Sequence, residues 1–255
     1  MEAAMLRIEH LSCGYGGTPI LQDISFHVKE GEKLCILGPN GCGKTTLLRA
    51  LAGLLPSGGK IELTGSDLSA LPVRKRAQKV ALMSQFSPAA FDYTVYETVM
   101  LGRYAHQAKG LLTNESPADR QAVEDSLRLT GTWDLREHLV TRLSGGQLQR
   151  VFLARTFAQE PQIILLDEPT NHLDLRYQVE LIESLKTWSA LQGRCVVGVF
   201  HDMNLALSFA DTILLLNQGQ IQSYSKLEDF DLSLLDSLYN MDVRGHMISS
   251  LQRWI

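Results

Sequence analysis

The sequence predicts an α/β fold with an antiparallel β segment at its start and a helical block set into its middle. Three observations predict it. After Pro161, short apolar runs alternate with helical patterns, which argues for a parallel sheet covered by helices. A glycine-rich stretch, residues 38–43, lies between an apolar strand pattern and a helix pattern. From about residue 86 to 158 the strand-like runs vanish, so the helices there read as an insertion into the α/β core.

The elements follow in order. Residues 5–33 alternate as strands do, with Leu6, Ile8 and His10 expected on one face and Ile20, Leu21, Ile24, Phe26 and Val28 following around turn glycines. Residues 34–37 read as a buried strand, 38–43 as a loop and 44–54 as a helix. In the middle block, 96–104 and 117–130 read as helices, the second with Val123, Leu127 and Thr130 on one face. A third helix, 147–159, carries Leu148, Val151, Phe152 and Arg155 on one side. Then come strand 163–167, helix 176–192, strand 195–200, helix 203–209 and strand 212–216. The expected organisation is one domain over 1–255. Residues 1–85 and 159–220 form the β subdomain and core, 86–158 the helical subdomain, and 221–255 a tail with no chemical signal.

Composition narrows the function. At 255 residues and 45% hydrophobic content the chain can bury a large core. Its apolar runs are far too short to span a bilayer, and no N-terminal segment looks like a signal peptide. A cytoplasmic protein is expected, with any membrane role arising through a partner. The net charge is −4, and the basic cluster Arg74-Lys75-Arg76 with Lys79 reads as a solvated helix face. Nucleic acid is therefore not an expected partner. Cys13, Cys35, Cys42 and Cys195 show no CxxC spacing and read as reduced thiols.

Gly38-Pro39-Asn40-Gly41-Cys42-Gly43-Lys44-Thr45 fits G-x-x-x-x-G-K-[ST] in the strand–loop–helix context that a P-loop requires. The glycines let backbone N–H groups turn onto a β-phosphate, and the following helix points its positive end at the same anion. Lys44 supplies charge to the β- and γ-phosphates of ATP, Thr45 offers a hydroxyl to Mg²⁺, and Thr46 reaches the α-phosphate. Cys42 lies inside this loop, where a thiol reagent is expected to block the site. The run 163–168 is a buried strand ending in two acids, where ligands sit in open α/β sheets. Asp167 suits Mg²⁺ through its water shell, and Glu168 suits polarisation of the attacking water. His201 follows another buried strand and is placed to contact the γ-phosphate. Gln85, after the strand-like 80–83, can touch Mg²⁺ and the water. Tyr15, in the first hairpin turn, can stack on adenine.

Leu143-Ser144-Gly145-Gly146-Gln147 opens the third helix of the block, a five-letter match expected by chance in on the order of one chain in several thousand. It is a second anion-binding helix terminus. One ATP already wrapped by the P-loop does not need it, so it reads as gripping the γ-phosphate held by another copy. Two copies in a head-to-tail C2 pair would then enclose two ATP molecules. Asp174, just after Glu168, is placed to cross the seam.

In this order, Tyr15, 38–45, Gln85, 143–147, 167–170, Asp174 and His201, the sequence resembles the ATPase subunit of an ATP-binding-cassette (ABC) transporter over nearly its whole length. The resemblance implies a P-loop NTPase (RecA-like) core, an antiparallel β subdomain and a helical subdomain carrying the signature. It also implies that ATP closes a homodimer, hydrolysis opens it, and separate transmembrane permease subunits use the motion. The chain would then lie on the inner face of the cell membrane. Thr94-Val95-Tyr96-Glu97-Thr98-Val99 with Gly102-Arg103-Tyr104, and Asn171-His172-Leu173-Asp174, are similar to the branch serving iron–siderophore, haem and vitamin B12 importers. That branch implies a substrate-binding protein acting with the permease. The segment 86–104 is expected to receive a short permease helix. The alternatives are a soluble cassette ATPase of DNA repair or translation, an importer ATPase for another cargo such as a metal oxyanion, and a monomeric P-loop kinase. The kinase leaves 143–147 unexplained.

Overall fold

The computed structural model describes residues 4–84, 92–107, 115–171 and 173–252. The chain opens with β1 (Ala4–Tyr15), β2 (Thr18–Lys29) and β3 (Lys33–Leu37), then α1 (Lys44–Leu51), β4 (Ser57–Leu63), β5 (Ser66–Asp67), α2 (Val73–Ala77) and β6 (Val80–Met83). The helical block holds α3 (Val95–Met100), α4 (Pro117–Leu129) and α5 (Gly145–Ala158). The chain returns through β7 (Ile163–Asp167), α6 (Leu175–Ser189), β8 (Cys195–Val199), α7 (Met203–Phe209), β9 (Thr212–Asn217) and β10 (Gln220–Lys226), and ends in α8 (Ser233–Tyr239) and α9 (Val243–Leu251).

Two sheets result. One is antiparallel in the order β2-β1-β4-β5; the other is six-stranded in the order β10-β9-β3-β8-β7-β6. In the second, β9, β3, β8, β7 and β6 run parallel, and β10 adds an antiparallel edge. The expected tail therefore begins as sheet. The apolar runs of the central strands follow from burial on both faces. Leu34 and Ile36 of β3 pack with the antiparallel sheet and α1, while Cys35 and Leu37 pack with α6 and α7 on the other face. β7 divides the same way, Ile163 and Leu165 against Ile164 and Leu166.

The first strand departs from simple alternation. Leu6 and Ile8 are buried as expected, but His10 is exposed and Leu11 takes the next core position. The register shifts between Ile8 and Leu11, where His10 adopts φ 53° and Asp23 on the partner strand φ 54°. This bulge inserts a residue and turns His10 outward, where its Nδ1 lies 2.6 Å from Asp23 Oδ1.

The helical block has its own core of Val95, Val99, Val123, Leu127, Val140, Leu148, Val151, Ala154 and Ala158. The expected helix 96–104 is α-helical only to Met100, and residues Leu101–Ala105 tighten into a 3-10 turn. Gly102 explains the tight approach, because a Cβ there would lie 2.3 Å from the Arg155 carbonyl oxygen of α5. Arg103 staples the same corner. Its Nε donates to Asp119 at 2.9 Å and its Nη1 to Ala158 O at 2.7 Å and Glu160 at 2.6 Å. The expected one-sided helix 147–159 begins at Gly145 and is apolar on two sides, with Leu153 and Phe157 packing into the sheet's core. α5 thus joins the block to the sheet.

Candidate functional site

The sheet order gathers the expected residues. β3 and β7 flank β8, so the loop after β3, the acids after β7 and His201 after β8 all emerge at the carboxyl ends of neighbouring strands, where α/β sheets bind ligands. Gly38 crosses so close to β9 that a Cβ would lie 2.1 Å from the Leu216 carbonyl oxygen. Gly43, at φ 109°, caps α1 without any side-chain hydrogen bond. The first-turn N–H groups of α1 therefore have no side-chain cap competing with an anion. Lys44 is buried, and its Nζ donates to Gly38 O at 2.7 Å and Pro39 O at 2.9 Å. The ammonium is held over the loop it serves.

Thr45 Oγ1 donates to Asp167 Oδ1 at 3.0 Å, so two of the residues expected at Mg²⁺ already touch. Burial pushes the Asp167 carboxyl above the usual carboxylate range; the Thr45 hydrogen bond opposes this and the neighbouring Glu168 charge adds to it. Glu168 sits at φ 55°, with its N–H donating to Val199 O at 3.0 Å. Its Oε2 accepts from Asn171 Nδ2 at 2.6 Å, and its Oε1 lies 2.6 Å from His201 Nε2. With Glu168 ionised, His201 must carry its proton on Nε2.

Cys42 corrects an expectation. Its side chain is buried in the core beneath the loop, and burial pushes its thiol pKa up. Its N–H donates to Pro39 O at 3.3 Å and its carbonyl accepts from Gly219 N at 3.1 Å, and a thiol reagent meets a protonated, covered sulfur. Tyr15 is exposed at the end of β1, with its hydroxyl accepting from Arg49 Nη1 at 3.3 Å. Gln85 lies outside the described residues.

The cavity of about 920 Å³ beside Glu32, Lys33, Asp211 and Thr212 opens at the opposite, amino ends of β3 and β9. Internal contacts line it, among them Lys33 Nζ to Asp211 at 2.7 Å, and no expected site residue faces it.

A protein-family model described as "ABC transporter" matches residues 21–171, which takes in the phosphate loop, the signature and both acids. The chain belongs to the ABC transporter family. Such a cassette is an ATP-binding ATPase. It is 41% identical to an uncharacterised ABC transporter ATP-binding protein of Bacillus subtilis over 84% of this chain and 48% of that one. The chain thus spans about half the length of that relative. It is 35% identical to the ferric enterobactin transport ATP-binding protein of Escherichia coli over 93% of this chain and 88% of that one. Among solved structures, an inward-facing ABC transporter provisionally assigned to the metal-chelate type superposes with a TM-score of 0.80 at 31% identity, covering 94% of this chain and 90% of that one.

The cassette's signature is a built helix start. Ser144 caps α5, its Oγ accepting from Gln147 N at 3.3 Å while Gln147 Oε1 accepts from Ser144 N at 2.9 Å. This capping box satisfies two backbone donors and leaves the Ser144 hydroxyl proton unspent. Ser144 and Gly145 are exposed, whereas Gly146 is buried. Asp174 caps α6, accepting from Tyr177 N at 3.1 Å. Sequence reasoning passed over Asn171, Arg49, Gln149 and Tyr177 as site residues. Only the three-residue offset of Asn171 from Glu168 was a local signal for any of them.

Proposed function

We propose that this chain is the ATP-hydrolysing subunit of a membrane importer for a ferric chelate, working as a head-to-tail pair on the cytoplasmic face of the membrane. The observation that carries the reading is the convergence of Lys44, Thr45, Asp167, Glu168 and His201 in a chain that also presents Ser144 with a free hydroxyl donor. Backbone N–H groups of 38–46 and the Lys44 ammonium bind the ATP phosphates. Ser144, Gly145, Gly146 and Gln147 of the second copy close on the γ-phosphate, with Asp174 at the seam and Tyr15 against adenine. Glu168, held by Asn171 and His201, orients the attacking water and draws off its proton as ADP and phosphate form. His201 then stands beside the γ-phosphate.

The residues present fit Mg²⁺. Among the described residues no group of three or more His, Cys, Asp or Glu could hold a metal alone, but Mg²⁺ is commonly held by one or two carboxylates together with substrate phosphates. Thr45 and Asp167 would hold it, with Gln85 nearby in the reading, and it would neutralise charge on the phosphates.

Among the described residues no helix is long and apolar enough to cross a membrane, and the reading assigns the membrane passage to permease subunits. Val73 is 74% exposed, Tyr104 66% and Leu101 50%. Arg74 Nε donates to Ala105 O at 2.9 Å, joining α2 to the 3-10 turn that carries Leu101 and Tyr104. This apolar surface at the joint between core and helical block suits a permease helix; Phe86 and Phe91, expected there too, lie outside the described residues. The ferric chelate class rests on the relatives, and a substrate-binding protein would deliver it to the permease. The test is ATP-dependent uptake of radiolabelled ferric chelates by the chain reconstituted with its transmembrane partner. ATP turnover without chelate uptake, or co-purification with ribosomes or DNA in place of a membrane protein, overturns the reading.

A further inference from the structure

In the proposed head-to-tail pair, each chain serves two ATP molecules. Its Glu168 acts on the ATP in its own phosphate loop, and its Ser144 terminus grips the partner's. The two duties lie on different elements, yet the structure ties them together at three points.

The first tie is Gln149, in the second turn of α5 and 5% exposed. Its Nε2 donates to the carbonyl of Pro169 at 2.8 Å, and Pro169 follows Glu168 directly. A buried amide bond of this kind fixes one backbone against another, because separating the two would orphan both groups. The second tie is Tyr177. Asp174 fixes its backbone at the start of α6, and its ring lies flat on the signature glycine: a Cβ on Gly146 would lie 2.2 Å from Tyr177 Cδ2. Gly146 is thus a glycine for a reason inside its own chain as well as for the approach of a phosphate. The third tie is Arg150, whose guanidinium stacks 5.0 Å from the Tyr177 ring centroid and whose Nη1 lies 3.3 Å from Glu180 Oε2. Gln178 closes the loop by donating to Leu173 O at 3.2 Å and Thr170 O at 3.4 Å.

This joint is not fully satisfied. Arg150 Nε is buried without a hydrogen-bond partner, and Glu180 Oε2 has no hydrogen bond beyond its ion pair with Arg150 Nη1. Unspent donors and acceptors at a packed joint can re-pair when one side shifts. Given the head-to-tail pair, on which the coupling depends, we infer that Tyr177 and Gln149 are positioning residues that join the signature terminus to Glu168 within one chain, so that gripping the partner's ATP sets the catalytic carboxylate over the chain's own. Each acts through a neighbour, Tyr177 through the α5 terminus and Gln149 through Pro169.

The test uses the full chain. In a Glu168→Gln background, where hydrolysis is suppressed, labelled ATP binding to dilute monomer and ATP-driven dimerisation by analytical ultracentrifugation are measured side by side. Tyr177→Ala is expected to weaken dimerisation by about tenfold or more, the scale of a lost coupling, while monomer affinity for ATP stays within about twofold of the parent. Tyr177→Phe, which keeps the ring, is expected to restore dimerisation. With Glu168 intact, Gln149→Leu is expected to lower kcat while the ATP concentration for half-maximal rate holds. The inference is overturned if Tyr177→Ala dimerises like the parent, if its monomer loses ATP affinity by the same factor, or if Gln149→Leu turns over at the parent rate. If the parent itself fails to dimerise with ATP, the head-to-tail reading falls first and takes this inference with it.

Discussion

α1 and α5 both begin beside glycines and both present a helix N-terminus, yet they are built oppositely. At α1 the cap is Gly43 with no side-chain bond, Lys44 is folded back onto the loop, Asp167 is buried with a raised pKa, and Glu168 is held at positive φ. At α5 the terminus is closed by its own Ser144–Gln147 box and stands exposed. The first end gathers a buried ammonium and a buried carboxyl around a helix start that has no side-chain cap. At the second, the helix's own box satisfies two backbone donors and leaves the Ser144 hydroxyl proton over. On the proposed reading, one end is a site within the chain and the other is half of a site between chains.

The largest expected effect breaks the comparison where the two ends meet. Glu168→Gln removes the proton acceptor but keeps its size and one oxygen that can accept from Asn171 or His201. Turnover should fall by about 10² to 10⁴, while ATP still draws two copies together into a dimer visible by size-exclusion chromatography. Rapid hydrolysis by the variant would show that the base lies elsewhere.

Lys44→Ala acts on α1 alone. It removes a buried ammonium that bonds the loop carbonyls and would meet the phosphates, so ATP affinity should weaken by roughly 10- to 100-fold, the worth of a hydrogen bond to a charged group. Calorimetric titration with ATP checks it, and affinity within twofold of the parent contradicts the phosphate role. Ser144→Gly acts on α5 alone. Glycine is nearly as good a cap, so thermal stability should change by only about a few tenths of a kcal/mol. The hydroxyl donor is lost, however, and ATP-driven pairing should weaken by about tenfold with monomer ATP binding unchanged. Equal weakening of both would make Ser144 an in-chain ligand and erase the distinction between the ends.

The two ends also differed in how legible they were. The α1 end could be read because its parts are local. The strand 163–167 was placed to the residue, since a run buried on both faces is apolar throughout, and Asp167 and Glu168 follow from where it stops. That Thr45 would touch Asp167 follows from β3 and β7 flanking one strand. The α5 end showed its cap but not its joint. Gln149 bonds Pro169 twenty residues on, and Tyr177 covers Gly146 from another helix; neither leaves a periodic or compositional trace. His10 failed for a related reason, because a bulge breaks the period of two on which the alternation argument depends. β4 opens on Ser57-Gly58-Gly59 and is buried only at Ile61 and Leu63, β5 has two residues, and β10 is an edge strand with no fully buried position, so none carries a strand-like apolar run.

The smallest expected effect concerns the strain at the α1 end. Asp167 titrates higher folded than unfolded, chiefly through burial. In the interval between the two pKa values the folded state therefore binds more protons than the unfolded one, so stability rises as pH falls through the raised folded value. At neutral pH the buried charge is a penalty, and it is fully relieved below the ordinary carboxylate range. Asp167→Asn keeps an oxygen that can accept the Thr45 hydrogen bond and removes that charge from beside Glu168. The nucleotide-free variant should melt slightly above the parent at neutral pH, and the gain should shrink to nothing on acidification. Calorimetric scans across this pH range decide it. A variant that melts below the parent at neutral pH would mean that the Asp167 charge is satisfied within the chain by partners such as Thr45.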